Sequence, residues 1–236
     1  MRIDVAFLPA DIKETDLSDT TCIVLDIFRA TTSIVTAMAH GCKTIVPVLD
    51  INAAQSMADQ MKSALLAGER QSIKIEGFDF GNSPFEFATD KVNDRTIIMT
   101  TTNGTIAIKA TEQSDHTLLG AFINAGAVCR QARKYGKDIM IVCAGTDRLF
   151  SLEDALCAGL LVSSLQAEEK VILTDSAQGV WTMYNGAKPS ILEIAGSSRN
   201  GKRLYDMGNR SDVEYCLQSN VLDVVPQYKE GRITLV

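Results

Sequence analysis

Histidine is scarce in this 236-residue chain: His40 and His116 are the only two. His40 precedes Gly41 at the end of a helical pattern, where it complements the helix dipole, and His116 begins a strand pattern. Neither placement suits a histidine triad or a histidine-based zinc site. Paired cysteines are missing as well. Cys22, Cys42, Cys129, Cys143, Cys157 and Cys216 lie far apart, mostly inside apolar runs, with no C-x-x-C spacing. They read as reduced core thiols of a cytoplasmic protein. No apolar run approaches the roughly 20 residues of a membrane span, and the opening "MRIDVAFLP" is a short alternating strand without a signal-peptide apolar region. Nor is there a basic excess. Lys and Arg number 23 against 29 Asp and Glu, a net charge of -6, which argues against general affinity for nucleic acid or an anionic membrane. An anionic ligand would need local positive potential.

What is present is a globular composition, 46% apolar and 22% charged, enough for one sizeable core. Strand-length apolar runs recur as "IDVAFL", "CIVLDIF", "TIVPV", "TIIMTTT", "HTLLGA" and "DIMIVCAG". Helical spacing follows several of them, in "TTSIVTAMAHG", "INAAQSMADQMKSALLAG", "TIAIKATEQ", "INAGAVCRQARKYG" and "SLEDALCAGLLVSSLQ". This alternation predicts an α/β fold of three layers, α/β/α, around a mainly parallel or mixed sheet. Gly41, Gly68 and Gly136 stand just past helical patterns, where left-handed caps are expected. Beyond residue 167 the pattern turns helical through "EEKVILTDSAQGVWTMYNGA", "PSILEIAGSS" and "NGKRLYDMG", then closes with the hairpin "VLDVVPQYKEGRITLV". The expectation is one domain over 1–236, sheet-rich over 1–167, with a mainly helical section, 168–236, packed on it.

Ligands of open α/β sheets bind beyond the carboxyl ends of strands, which directs attention to four loops. "VLDIFRATTS", residues 24–33, puts Asp26 at a strand end, Arg29 beside it, and Thr31, Thr32 and Ser33 at a helix start. Free N–H groups, hydroxyls and a guanidinium at one spot suit a phosphoryl group; a capped helix with an Asp26–Arg29 ion pair is the alternative. "TTTNGT" repeats the arrangement, with Thr101 and Thr102 finishing a strand, Asn103 and Gly104 turning, and Thr105 opening a helix. The second occurrence favours an anion site over capping alone. "GFDFGNSP" offers Asn82 and Asp79 as ligands, or merely a turn in which Ser83 caps a helix beginning at Pro84. In "CAGTDRLFSLED" a strand ends at Cys143, Gly145 follows as a candidate substrate contact, and Glu153 and Asp154 fall in the first helical turn. Those carboxylates form a capping box or, with Asp26, a Mg²⁺ site completed by substrate oxygens and water.

Three motifs fail on spacing or composition. Cys143 to Arg148 is C-x4-R, one residue short of the cysteine-phosphatase loop, so Cys143 reads as a packed thiol. "DIFRAT" has Phe28 where the D-x-D-x-T loop of aspartyl-phosphate phosphatases has its second Asp. "GSSRNGKR", residues 196–203, has Arg203 where a P-loop needs Ser or Thr.

Together, "VLDIFRATTSI", "KIEGFDFGNSP", "TTTNGT", "VCAGTDRLFSLEDALCAG" and "DVEYCLQSNVLDVVP" resemble the 2-phosphosulfolactate phosphatase family, in order and nearly end to end. The resemblance implies an α/β fold of its own and Mg²⁺-dependent hydrolysis of a small phosphorylated acid, 2-phospho-3-sulfolactate, to 3-sulfolactate and phosphate. In archaeal members that step belongs to coenzyme M biosynthesis. On this reading Asp26, Arg29 and Glu153 act in catalysis, and Asp26, Glu153 and Asp154 hold the metal. Thr31, Thr32, Asn82, Ser83, Thr101, Thr102, Asn103, Gly104, Thr105 and Gly145 are the substrate-binding candidates. A covalent phosphatase with Asp26 as nucleophile and a phospho-ligand sensor without turnover are the alternatives, and a homodimer is the default assembly. Two positions depart from the family pattern: Asn200 stands where a His is frequent, and Asn220 lies where an acidic residue is expected. Both bear on the substrate more than on the fold.

Overall fold

The computed structural model of the protein describes residues 1–12, 15–61, 63–167 and 170–236. Its strands are β1 (Arg2–Ala6), β2 (Thr20–Leu25), β3 (Thr44–Pro47), β4 (Leu65–Arg70), β5 (Ile73–Lys74) and β6 (Thr96–Thr100). They continue with β7 (His116–Gly120), β8 (Asp138–Cys143), β9 (Ile172–Leu173), β10 (Pro226–Lys229) and β11 (Arg232–Leu235). The helices are α1 (Ala30–Ala39), α2 (Ile51–Gln60), α3 (Pro84–Phe87), α4 (Gly104–Ala110) and α5 (Ala125–Tyr135). After them come α6 (Leu152–Gln166), α7 (Asp175–Ala187), α8 (Ile191–Gly196), α9 (Arg199–Asp206) and α10 (Arg210–Cys216).

All the strands join one mixed sheet in the order β5-β4-β6-β3-β11-β10-β7-β2-β8-β1-β9. Two parallel blocks, β4-β6-β3 and β7-β2-β8-β1-β9, are joined by the antiparallel hairpin β10–β11. Three antiparallel steps separate β3 from β7, so the blocks run in opposite directions. At roughly 20–25° of twist per step, the five steps from β6 to β2 accumulate about 100–125° and turn the blocks' carboxyl ends back toward each other. The terminal hairpin is thus the seam of the sheet, joining the two opposed edges through an odd number of antiparallel steps.

Side-chain alternation along β2 separates the two faces. Ile23 and Leu25 join a core with Val128, Leu156, Leu161 and Val180 from α5, α6 and α7. Val24 points the other way, to Ile34 and Met38 of α1 and Ile108 of α4. Helices therefore cover both faces, as the strand–helix alternation predicts. Among the described residues no helix is long and apolar enough to cross a membrane.

Two expected helices are shorter than their sequence patterns. The pattern over 51–68 becomes α2, which stops at Gln60, followed by β4; Lys62 lies outside the described residues. A short apolar run such as "ALLAG" fits either element, and pairing with β6 decides for strand. Gly68 is accordingly no helix cap. A Cβ there would sit 2.3 Å from the Thr100 carbonyl oxygen, so glycine permits the close approach of β4 to β6. Gly41 and Gly136 do take the left-handed conformation, with φ of +83° and +67°. Of the pattern over 168–187, residues 168 and 169 lie outside the described residues, Ile172–Leu173 pairs with β1 as β9, and the helix begins at Asp175 under a Thr174 cap.

Helix α6 is apolar around its circumference and buried along most of its length, which it achieves by receiving the backbone of α7 at Gly159. A Cβ on Gly159 would lie 2.2 Å from the Val180 carbonyl oxygen, whereas one on Gly179 in α7 would meet nothing within 4 Å. Alanine is better than glycine in a helix interior by about 0.8–1 kcal/mol, while overpacking costs about 1–3 kcal/mol. Since backbone rather than a flexible side chain opposes the new methyl, Gly159→Ala is expected to lower stability by about 1–2 kcal/mol net. Gly179→Ala should raise it by up to about 1 kcal/mol. Denaturant unfolding of both variants checks the pair: an unchanged or stabilised Gly159→Ala would show that α6 and α7 can separate freely.

Candidate active site

The polar end of β2 is organised by its own hydroxyls. Thr31 Oγ1 accepts from the Asp26 N–H (3.0 Å) and donates to the Asp26 carbonyl (3.1 Å), and Thr32 Oγ1 donates to the Ile27 carbonyl (3.1 Å). Ser33 Oγ reaches across to the Asn82 carbonyl (2.8 Å). Thr31, Thr32 and Ser33 are fully buried, so these hydroxyls lock the turn between β2 and α1 and leave the Asp26 carboxylate pointing out of it. The "TTTNGT" loop uses the same device. Thr101 Oγ1 and Thr105 Oγ1 lie 3.1 Å apart, and the Thr105 hydroxyl donates to the Thr101 carbonyl (2.8 Å). Gly104 passes directly beneath Asp26, where a Cβ would come within 2.8 Å of Oδ2.

Asp26, Arg29, Asn82, Thr102 and Asn103 line one small cavity of about 20 Å³ between the two blocks. Glu69, Asn200 and Arg203, none of them among the site candidates read from the sequence, complete its polar wall. Arg29 is fixed from both sides: Nη1 donates to Asp212 Oδ2 (2.6 Å) and Nη2 to the Ser72 carbonyl (3.1 Å). Ser83 Oγ donates to the other Asp212 oxygen (2.8 Å), so Ser83 supports the arginine's partner instead of facing the cavity. Glu69 receives the Ser72 N–H (2.7 Å) and the Thr102 N–H (2.8 Å), tying the end of β4 to the loop after β6. Asn200 Nδ2 donates to the Phe28 carbonyl (2.6 Å).

Behind this wall, Asp154 bridges two strand ends. Its Oδ1 accepts from the Ile27 N–H (2.9 Å) and its Oδ2 from the Gly145 N–H (3.1 Å). Gly145, at φ +71°, gives up its amide to that bridge. Glu153, 2% exposed, is hydrogen-bonded by Ser198, Ser151 and Asn200. The "GSSRNGKR" segment is therefore a helix start, capped by Ser198 and laid over Glu153, not a phosphate loop.

Charge is unevenly buried here. Among the described residues, the buried Asp, Glu, Lys and Arg side chains are Asp26, Glu69, Glu153, Asp154 and Asp212 against Arg29 alone. Burial pushes the Asp26 carboxyl up to about 7; the Ala30 N–H bond opposes this, and the negative charges of Glu69 and Glu153 add to it. Burial likewise raises Glu153, and it raises Asp154 with the Glu153 and Asp26 charges reinforcing it. Two polar atoms on the cavity residues lack any hydrogen-bond partner among the described residues: Asn82 Oδ1 and Thr102 Oγ1. Cys143 is 1% exposed and its thiol is driven well up by burial, the behaviour of a packed, unreactive sulfur. A larger cavity of about 610 Å³ adjoins at Asn103; Leu8, Ile12, Leu17 and Ile106 line it together with Lys109, Glu112 and Arg148, but it holds none of the buried acids. The buried acids and the fixed guanidinium gather at the smaller one.

Acids, a fixed guanidinium and unpartnered polar groups gathered at converging strand ends of an open α/β sheet stand where enzymes of the α/β class bind their ligands. The comparisons with known proteins make this specific. The sequence model of the 2-phosphosulpholactate phosphatase family matches residues 6–231. A protein of Carboxydothermus hydrogenoformans named "Probable 2-phosphosulfolactate phosphatase" is 40% identical over 237 residues, covering 100% of this chain and 97% of the relative. Proteins of the same name from Clostridium acetobutylicum, 39% identical, and Clostridium novyi, 36% identical, each match over 235 residues, 99% of this chain and 100% of theirs. The chain belongs to the 2-phosphosulpholactate phosphatase family, and by class it is a phosphoric monoester hydrolase.

The buried acids make stability depend on pH in a definite sense. A carboxyl whose folded pKa, about 7 for Asp26, exceeds its unfolded value holds its proton more tightly when folded. The unfolded value is roughly 3.9, so stability is favoured at low pH and lost as pH rises through about 4 to 7. In metal-free buffer the melting temperature of Asp26→Asn should therefore exceed that of the wild type at pH 8, and the gap should shrink at pH 5. Thermal unfolding at the two pH values reads this directly; a gap independent of pH would mean that Asp26 titrates normally.

Proposed function

We propose that this chain hydrolyses 2-phospho-3-sulfolactate to 3-sulfolactate and phosphate in a Mg²⁺-dependent reaction centred on Asp26. The carrying observation is the excess of buried carboxylates around a single buried arginine, at a site whose family members are named for a phosphorylated acid. Five buried acids and an incoming anion repel one another unless a cation joins them.

The residues fit Mg²⁺ in the way that ion is usually held. Among the described residues no three acid, thiol or imidazole side chains form a ready metal cage. Mg²⁺ rarely needs one, since one or two carboxylates with waters and substrate oxygens suffice. Asp26, whose Oδ1 receives only the Ala30 N–H (3.3 Å), and the unpartnered Asn82 Oδ1 would hold it, with Glu153 behind. Asp154, both of whose oxygens accept backbone N–H groups, frames the site from behind. When bound, the ion would polarise the phosphoryl oxygens and offset the charge that develops on them.

Arg29 keeps three N–H donors beyond those given to Asp212 and Ser72, and with the Thr102 hydroxyl these orient the phosphoryl oxygens. Asp26 Oδ2 takes a proton from the attacking water as its oxygen bonds to phosphorus. The ester P–O bond breaks, and the departing oxygen keeps the electron pair and collects a proton from solvent.

Phosphate release from 2-phosphosulfolactate tests the reading. EDTA should abolish it and Mg²⁺ restore it. Asp26→Asn should lower kcat by on the order of 10²–10⁴, the usual worth of a general base. Arg29→Lys should lower kcat/KM by about 100-fold, because a point charge cannot reproduce the fork gripped by Asp212 and Ser72. Cys143→Ser should stay within about tenfold of wild type. Full turnover in chelator would remove the metal, and an active Asp26→Asn would remove the base.

A further inference from the structure

The cavity is closed down to about 20 Å³, far below the roughly 300–1,000 Å³ of ligand pockets. A ligand must therefore displace a side chain at its rim. Arg29 is no candidate, being buried and bonded on both sides. Arg203 is different. It stands in the last turn of α9, its side chain 34% exposed, and its Nη2 donates to Asp147 Oδ2 at 2.9 Å; the Asp147 side chain is 45% exposed. An ion pair this exposed contributes only about 0–1 kcal/mol, so its carboxylate is readily exchanged for another anion. The backbone on either side is tethered independently of the pair. The Asp147 N–H donates to Asn103 Oδ1 (3.3 Å), and Arg199 Nη2, also on α9, donates to the Thr146 carbonyl (2.6 Å). Exchange then needs side-chain rotation only.

We propose that Arg203 selects for a substrate bearing a second anionic group beside its ester phosphate, and that Asp147 occupies Arg203 in place of that group until the substrate arrives. The inference rests on the phosphatase reading above, because it takes the inner wall, Asp26 and Arg29, as the phosphate position. A 2-phosphosulfolactate molecule carries a carboxylate and a sulfonate in addition to the phosphate, so a planar guanidinium at the rim has an oxyanion to grip.

Isothermal titration of the Mg²⁺-loaded full chain with 3-sulfolactate and with inorganic phosphate separates the possibilities. Arg203→Met should weaken 3-sulfolactate at least tenfold more than it weakens phosphate. Asp147→Asn, which removes the competing anion, should tighten 3-sulfolactate by about two- to fivefold, as expected when an occupied site is freed. If the pair is only a staple between α9 and the 146–149 turn, both substitutions lower the melting temperature and change the two affinities in parallel, which overturns the proposal. Weaker 3-sulfolactate binding by Asp147→Asn overturns it too. A wild-type protein that neither cleaves 2-phosphosulfolactate nor binds 3-sulfolactate removes the phosphatase reading itself, a failure distinct from equal losses in an active enzyme.

Discussion

The Asp154 carboxylate is the tie on which the rest of the site depends. It sits in the first turn of α6 and accepts one backbone N–H from the end of β2, at Ile27, and one from the loop after β8, at Gly145. Those two amides would otherwise be buried without partners, and each orphan would cost about 1–3 kcal/mol. Because the neighbouring residue Glu153 is carried by the same turn, anchoring α6 to two adjacent parallel strands also brings Glu153 up behind Asp26. β2 and β8 are already paired along their length, and this one side chain fixes α6, and Glu153 with it, against their ends.

That construction concentrates negative charge where the dielectric is low. The Arg29–Asp212 pair neutralises itself, with both side chains nearly inaccessible, so it offers little to Asp26, Glu69 or Glu153. Asp26 responds by holding its proton to about pH 7, and Glu153 and Asp154 shift in the same direction. A fold optimised for stability alone would not gather these groups, since well-packed apolar residues are usually at least as favourable as buried ions. Under the proposed Mg²⁺-dependent reading, a bound cation would relieve electrostatic strain of this kind, which would link the cost in the free protein to cation binding.

Legibility in the sequence followed the strands. Asp26, Arg29, Thr102 and Asn103 stand just after apolar runs, Asn82 stands in the "GFDFGNSP" turn, and the cavity is lined by all five. Glu69 is the penultimate residue of β4, but the apolar residues before it continue the helical spacing of α2, and only the pairing of β4 with β6 identifies the run as a strand. Had that been read, Glu69 would have stood at a strand end like the others. Asn200 and Arg203 lie on α9, inside a segment that the sequence marks only as a failed phosphate loop, and Asp212 lies on α10; tertiary packing brings the first two to the cavity and the third to Arg29, which local pattern does not encode. The hydroxyls of Thr31 and Thr32 were conspicuous, yet their partners are the carbonyls of Asp26 and Ile27, an outcome any Ser or Thr near a helix start can reach.

The position of the terminal hairpin explains why the site lies where it does. The β10–β11 pair was recognisable as a hairpin, but its place at the centre of the sheet depends on two edges, β3 and β7, that exist only once both parallel blocks have formed. By joining blocks of opposite direction, the seam lets twist bring strand ends from both toward one point. One block contributes Asp26 and, through α6, Glu153; the other contributes Glu69 and Thr102. A sheet with all its strands parallel would have set these ends side by side along one edge. The opposed blocks set them face to face, with a cavity between, so that acids and donors from both blocks of the sheet meet at one point.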